Sequence, residues 1–317
     1  MDLSEDQLID AIRRVLSGAA SDVVVGPGDD AAVVRSGSGE LVLTTDAMVE
    51  GVHFRRELTT PRDLGYKALA VNVSDVAAMA ASPRFAVCAL TLSTAVETSW
   101  VVELAAGMRE CAEEFALSIV GGNLSSGDAV SLVVTVTGEV APGRAVRRNG
   151  ARPGERLVVT GRLGGAAAGL RVAEQRSWSE EERDALHRFM RPTPRVGEAA
   201  VLAAQGASSM IDVSDGLAID LSRLCRESGV GARVELAALP AHPAATEDEV
   251  LGGGEDYQLL ATLPSERAVH DARAQLDEGF GVSLADIGVI IEGEGLVAVG
   301  ADGAERSLAI EGWDHFR

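Results

Sequence analysis

At 317 residues the chain is long enough for about two domains, each able to bury a core of its own. With 46% hydrophobic and 24% charged residues it is a globular chain and not a disordered one, and 3% aromatics means cores built from Val, Leu, Ile and Ala. A formal net charge of -20, with Lys67 the only lysine, excludes non-specific binding to nucleic acid or an anionic membrane and favours cations or basic partners.

SEDQLIDAIRRVLSG, residues 4–18, predicts a first helix with Ser4 as N-cap and Gly18 as its stop. VVVG, AAVVR and LVLTTD then read as short strands separated by GPGDD and SGSGE, the second of which closes a hairpin. From Pro61 to Ala81 the pattern is helical, with a break near Asn72 to Asp75. RFAVCALTLS predicts a strand, SWVVELAAGMRECAEEFA a helix, and SIVGGN and VSLVVTVTGEV two more strands. The turn cluster in RRNGARPGERLVVTG precedes a new strand and places a domain boundary near residue 150, giving domains over 1–150 and 151–317. Beyond it, GGAAAGLRVAEQ, SEEERDALHRFM, RVGEAAVLAAQG and GLAIDLSRLCRESG read as helices; SMIDV, ARVEL, YQLLATL, SLADIGVI and GLVAVG read as strands. Each half is therefore a mixed α/β unit, and no short period suggests a solenoid.

Three cysteines, Cys88, Cys111 and Cys225, lie far apart in apolar surroundings without zinc spacing, and read as reduced buried thiols. The start, MDLSEDQLID, is acidic and amphipathic, and no apolar run reaches membrane-spanning length, so a cytoplasmic protein is expected.

Apolar runs repeatedly end in carboxylates and amides: GDD at 28–30, TTD at 44–46, NVSD at 72–75, GGN at 121–123, IDVSDG at 211–216 and GGGEDY at 252–257. Strand ends and helix starts are where α/β folds build ligand sites, so these turns can converge on one cleft. Asp29, Asp30, Asp46, Asp75, Asp212 and Asp215 would then repel one another unless cations joined them, and an all-oxygen donor set shared with substrate phosphates suits Mg²⁺. Each feature also has a plainer reading. Asp75 and Asp215 can cap helices, GDD can be a turn, Thr44 and Thr45 are ordinary strand residues, Glu255 and Asp256 can form a solvated loop, and His53 stands alone. Lys67 is followed by Ala and Leu, which excludes a Walker-type loop. GRLGGAAAGL is a glycine-rich strand-to-helix turn for which close helix packing is the simpler account. Phosphate charge must therefore be met by Mg²⁺ and arginine.

In chain order, GDDAA, TTDxxVEGVHF, YKALAVNVSDVAAM, the GG-polar turn, RNGARPGE, RPTPR, IDVSDGL, GGEDYQL and the terminal GWDHF together resemble the thiamine-monophosphate kinase family, over residues from about 26 to the end. That family lies within the aminoimidazole ribonucleotide synthetase superfamily. The resemblance implies an α/β and α+β two-domain fold of that superfamily, an N-terminal sheet that pairs across a homodimer, and an active-site cleft between the domains. The implied reaction is ATP-dependent phosphorylation of thiamine phosphate to thiamine diphosphate by in-line transfer assisted by several Mg²⁺ ions. Carried over by motif, Asp30, Thr44, Thr45, Asp46, Asp75, Asn123, Asp212 and Asp215 would ligate Mg²⁺. Gly122, Asn123, Arg148 and Ser214 would contact ATP, and His53, Glu255 and Trp313 would contact thiamine phosphate. No catalytic base is needed, because a phosphate monoester has its second pKa near ~6 and the acceptor oxygen is already an anion. One position departs from the family: Asn123 stands where GGD is usual, which removes a charge from one metal site. Another ATP-using enzyme of the superfamily, or a catalytically impaired nucleotide- and metal-binding homodimer, is therefore the alternative.

Overall fold

A computed structural model describes residues 23–25, 29, 32–36, 39–93, 95–175, 177–310 and 312–313. The helix expected over 4–18 and the candidate ligand Asp30 lie outside the described residues. In the first half the elements are β1 (Val23–Val25), β2 (Ala32–Ser36), β3 (Gly39–Val49), α1 (Pro61–Ala78), β4 (Ser82–Leu92), α2 (Thr98–Glu114), β5 (Ser118–Ser126) and β6 (Ser131–Val140). Their six strands form one sheet in the order β1-β2-β3-β6-β4-β5, antiparallel except for the β4–β5 pair. The expected β2–β3 pairing is present, with Ala32 opposite Leu43 and Ser36 opposite Gly39.

The second half contributes β7 (Arg156–Thr160), α3 (Gly165–Val172), α4 (Glu180–Met190), α5 (Val196–Ala204), β8 (Ser209–Val213), α6 (Leu217–Ser228) and β9 (Gly231–Glu235). It continues with α7 (Glu247–Gly252), β10 (Gln258–Leu263), α8 (Glu266–Phe280), β11 (Leu284–Ile291), β12 (Leu296–Val299) and β13 (Glu305–Ser307). These strands form a separate seven-stranded sheet, β13-β12-β9-β11-β7-β10-β8. Two helices extend the sequence reading. Helix α7 carries a capping box between Thr246 and Glu249, and α8 starts at an N-cap Ser265, ends at a left-handed Gly281, and buries Ala268, Val269, Ala272 and Leu276 at helical spacing.

Strand β6 shows how the first sheet is built. Leu132, Val134 and Val136 are buried on the face that packs against α1, while Val133 and Thr135 point to the opposite face, as the period of two demands. That face also carries Phe85 and Val87 of β4, both well exposed.

Helix α1 is the central element. Thr60 caps it by accepting from the Asp63 N–H, and Pro61 supplies a first residue that needs no hydrogen bond. It packs on α2 backbone to backbone, through two glycines that leave no room for a side chain: a Cβ on Gly65 would stand 2.0 Å from the Leu104 carbonyl oxygen, and one on Gly107 would stand 1.7 Å from that of Arg62. Against expectation, α1 runs unbroken through Asn72–Asp75. The polar run does not stop it because Asn72 Nδ2 donates to the Ala68 carbonyl one turn back at 3.0 Å, and Ser74 and Asp75 find partners on other elements. Almost all of the helix is buried, so no solvated face reveals its period. Leu64, Leu69, Val73 and Val76 belong to the core beneath the first sheet, whereas Ala77 and Ala78 join Met210, Leu259 and Leu202 in a core of the second half. Among the described residues, no helix is long and apolar enough to cross a membrane, and Cys88, Cys111 and Cys225 are free thiols, the latter two buried.

Candidate active site

Two adjacent residues of α1 bring the sheets together. Thr44 of β3 donates its hydroxyl to Asp75 Oδ2 at 2.6 Å, and Ser74 donates to Oδ2 of the buried Asp212, on β8, at the same distance. Asp75 therefore lies inside a helix as a partner of a strand hydroxyl; it does not cap. Asp46, two residues along β3 from Thr44 and so on the same face, is exposed and accepts from the Ala47 N–H at 2.8 Å.

Strand β8 leads into the turn Ser214–Asp215–Gly216, whose three N–H groups all donate to Oδ2 of Asp220 at 3.0–3.1 Å. Asp220 is one turn into α6, so the cap comes from within the helix and Asp215 does not provide it. Arg223 donates to both carboxylates, reaching Asp220 Oδ1 at 2.9 Å and also pairing with Asp215. Burial, and then the neighbouring Asp215 charge, push the Asp220 carboxyl upward, while Arg223 and the backbone donors oppose that shift.

The GGGEDY segment runs beside this turn. Glu255 N–H donates to the Ser214 carbonyl at 2.7 Å and Tyr257 N–H to that of Val213 at 2.9 Å. Both residues have left-handed backbones, φ 68° at Glu255 and 48° at Tyr257, a conformation that non-glycine residues keep only when neighbours hold them in it. Neither acidic residue forms a solvated loop. Glu255 Oε2 accepts from Lys67 Nζ of α1 at 2.9 Å. Asp256 is buried and accepts from the Gly164 and Ala166 N–H groups, at 2.5 and 3.1 Å, at the start of α3; burial raises its carboxyl to about 7 against those donors. A carboxylate of the chain itself thus fills the place a phosphate would take on the glycine-rich GRLGGAAAGL turn. Packing accounts for that turn, since a Cβ on Gly169 would stand 2.2 Å from the Ala185 carbonyl oxygen on α4.

Tyr257 records how far the acidic residues converge. Burial holds its hydroxyl well above the usual tyrosine range, and the charges of Glu255, Asp46, Asp212 and Asp215 push it further the same way. Carboxylates from both sheets therefore lie within electrostatic reach of one buried side chain.

The remaining candidates occupy different places. Arg148 donates its backbone N–H to both oxygens of Asp29, at 3.3 and 3.1 Å, and its guanidinium stands 3.7 Å from the same carboxylate. Its carbonyl accepts from Ser209 and Ser228 at 2.7 Å each, so the arginine is seated in the structure and is not a loose surface side chain. His53 Nδ1 accepts from the Val49 N–H at 3.1 Å, and the ring lines a small cavity with Phe54, Lys67 and Phe189. Trp313 is 50% exposed, and its backbone N–H donates to the Asp215 carbonyl at 3.0 Å, which places it beside the Ser214–Gly216 turn.

Three candidates are not drawn into this group. Thr45 points to the outer face, donating to the Val134 carbonyl at 3.1 Å and accepting from Thr135 at 3.0 Å. Gly122 and Asn123 lie exposed on edge strand β5, separated from β3 by β6 and β4, which at the ordinary strand spacing is about 14 Å. Among the described residues, no three His, Cys, Asp or Glu side chains gather closely enough to hold a metal ion by themselves. Lys67, Ser74, Asp220, Arg223 and Tyr257 escaped the sequence reading. For the first two a signal exists, since residues seven apart share one face of a helix.

Comparison with known proteins follows the same division of the chain. Residues 28–140 match the AIR synthase related protein, N-terminal domain, and residues 152–300 match the AIR synthase related protein, C-terminal domain. The chain is 38% identical over 309 residues to the thiamine-monophosphate kinase of Salmonella typhimurium, covering 93% of each protein. It superposes on the structure of AaThiL complexed with AMPPCP and TMP with a TM-score of 0.86 and 33% identity, covering 100% of this chain and 99% of that one. Against the thiamine-monophosphate kinase of Stenotrophomonas maltophilia K279a, the TM-score is 0.77 at 36% identity, covering 96% and 98%.

Proposed function

Because the chain belongs to the thiamine-monophosphate kinase family, with a two-domain AIR synthase-like fold, we propose that it transfers the γ-phosphoryl group of ATP to thiamine phosphate, giving thiamine diphosphate and ADP. It is a phosphotransferase, and a relative of TM-score 0.86 binds AMPPCP and TMP. The observation that carries the reading is the pair of bonds Thr44–Asp75 and Ser74–Asp212, made by adjacent residues of one helix.

The donors gathered there are carboxylate and hydroxyl oxygens, the set that suits a hard divalent cation completed by water and phosphate oxygens. Asp46, Asp75, Asp212 and Asp215, with Thr44, would hold Mg²⁺; Asp30, Thr45 and Asn123 enter that set by family resemblance alone. Held by these residues, Mg²⁺ would supply neutralisation of the charge on two approaching phosphate groups, as an in-line transfer requires. The chain's own residues orient the substrates. Arg148 and Ser214 would line the ATP side; Gly122 and Asn123, which lie apart on β5, join them by family resemblance alone. On the acceptor side Glu255 offers negative charge to the cationic thiazolium, Trp313 an aromatic face, and His53 a ring nitrogen. No side chain has to remove a proton, because the acceptor phosphate is already an anion at neutral pH.

Incubation with ATP, Mg²⁺ and thiamine phosphate should yield thiamine diphosphate. No product from a folded protein overturns the reading. Asn123 supports one alternative, an impaired nucleotide-binding protein, which would bind ATP and thiamine phosphate without releasing ADP.

The outer face of the first sheet carries Phe85, Val87 and Val133, all exposed. An apolar sheet face of this kind calls for a cover, and we propose a second copy of the chain there. Sedimentation at micromolar concentration should give a dimer, and a monomer would refute it. The division of labour between the two sheets also supports a domain boundary near residue 150.

A further inference from the structure

The only lysine of the chain is buried. Lys67 is 4% exposed, and its Nζ donates to Glu255 Oε2 and to the Phe189 carbonyl, each at 2.9 Å, while lying 4.1 Å from the centre of the Phe189 ring. An ammonium has three donors and no acceptor capacity, and here a carboxylate, a carbonyl and a ring face surround it. It is thus engaged within the protein and is not presented to a substrate phosphate. Its partner is the unusual one. Glu255 sits at φ 68°, and two interactions hold it there: its N–H to the Ser214 carbonyl and its carboxylate to Lys67.

Lys67 and Ser74 are seven residues apart on α1, two turns or about 10 Å along one face, and both reach into the second half of the chain. Ser74 engages Asp212 and Lys67 engages Glu255. One rigid helix thereby sets the distance between the oxygen cluster and the Glu255 carboxylate.

We infer that Lys67 is a positioning residue for the acceptor substrate: anchored by the Phe189 carbonyl and ring, its ammonium fixes the Glu255 carboxylate at a set distance from the Asp75–Asp212 pair. The inference rests on the reading above that Glu255 faces thiamine phosphate.

Lys67→Met keeps length and approximate volume but removes the charge. It is expected to raise KM for thiamine phosphate about tenfold, the scale of a lost charge-assisted hydrogen bond, while KM for ATP stays within about twofold. Direct calorimetric binding of thiamine phosphate should weaken by the same factor. Lys67→Arg should recover part of the loss, and Lys67→Met combined with Glu255→Gln should bind thiamine phosphate no more weakly than Glu255→Gln alone. If Lys67→Met does not fold, Phe189→Leu removes the ring anchor and is expected to raise the same KM about twofold to fivefold with ATP unaffected. Unchanged thiamine phosphate binding in a folded variant, or equal losses for both substrates, overturns the inference. Should the unmutated protein bind no thiamine phosphate, the functional reading falls and the inference with it; binding by the unmutated protein and Lys67→Met alike sinks the inference alone.

Discussion

Ser74 of α1 donates its hydroxyl hydrogen to Asp212 of β8 at 2.6 Å, from a position 138 residues earlier in the chain. The two halves are thus joined inside the candidate active site and not only at their edges, and disturbing the pair should be felt in both stability and rate. Ser74→Ala removes a donor from a buried carboxylate and is expected to cost about 1.5–3 kcal/mol, measured by urea unfolding, together with a fall in kcat. Stability within about 0.5 kcal/mol of the unmutated protein would show that the bond carries no weight.

Asp75→Asn tests the oxygen cluster. The amide oxygen can still accept from Thr44, so the fold should change little. Losing the charge should nevertheless lower thiamine diphosphate formation by about 10²-fold or more, the scale of losing several kcal/mol of charge stabilisation. A normal rate at normal Mg²⁺ concentration removes Asp75 from the metal site.

Asn123→Asp adds a carboxylate on β5, at the position where the family resemblance implies one. The Mg²⁺ concentration giving half-maximal rate should fall, read from a metal titration at saturating ATP. An unshifted titration would place Asn123 outside the metal-binding set.

Gly107→Ala puts a methyl group 1.7 Å from the Arg62 carbonyl oxygen, where only a shift of α2 away from α1 can relieve the clash. Thermal unfolding should report a loss of about 1–3 kcal/mol, the usual range for overpacking. An unchanged midpoint would mean that the helices do not touch through their backbones.

Glu110 gives a pH signature. Arg62 and then Arg191 hydrogen-bond to it and hold its carboxyl down at about 2, below its ordinary value of 4.5. A folded-state value below the unfolded one contributes stability above the unfolded pKa and loses it as pH falls toward the folded pKa. The contribution should therefore fade between about pH 5 and pH 2, and Glu110→Gln should flatten the stability profile in that window. Equal slopes for both proteins would discard the linkage. Arg191 also pairs with Asp63 at 3.5 Å and stacks on Tyr66 at 4.3 Å, so this network latches the RPTPR segment to α1 and α2.

Most strands and helices were legible because their signals are local. The apolar, β-branched run VSLVVTVTGEV marks β6 although it alternates only weakly, and SWVVELAAGMRECAEEFA carries the period of α2. The acidic turns were legible too, as residue types at the ends of apolar runs. Helix α1 was legible only in part: Pro61 to Ala81 reads as helical, but almost all of the helix is buried, so YKALAVNVSDVAAM shows no polar stripe, and its polar residues look like a break until their partners are known.

By itself, then, the sequence determined the order of most elements, the supply of oxygen ligands and the absence of a lysine-bearing phosphate loop, all set by residues near one another in the chain. Only the tertiary structure decided the use of each group. It assigned Asp256 to the start of α3, Asp220 to the turn before α6 and Glu255 to a lysine 188 residues away. A carboxylate carries the same charge in a cap, an ion pair or a substrate site. What separates those roles is the donor folded against it, and that donor comes from elsewhere in the chain.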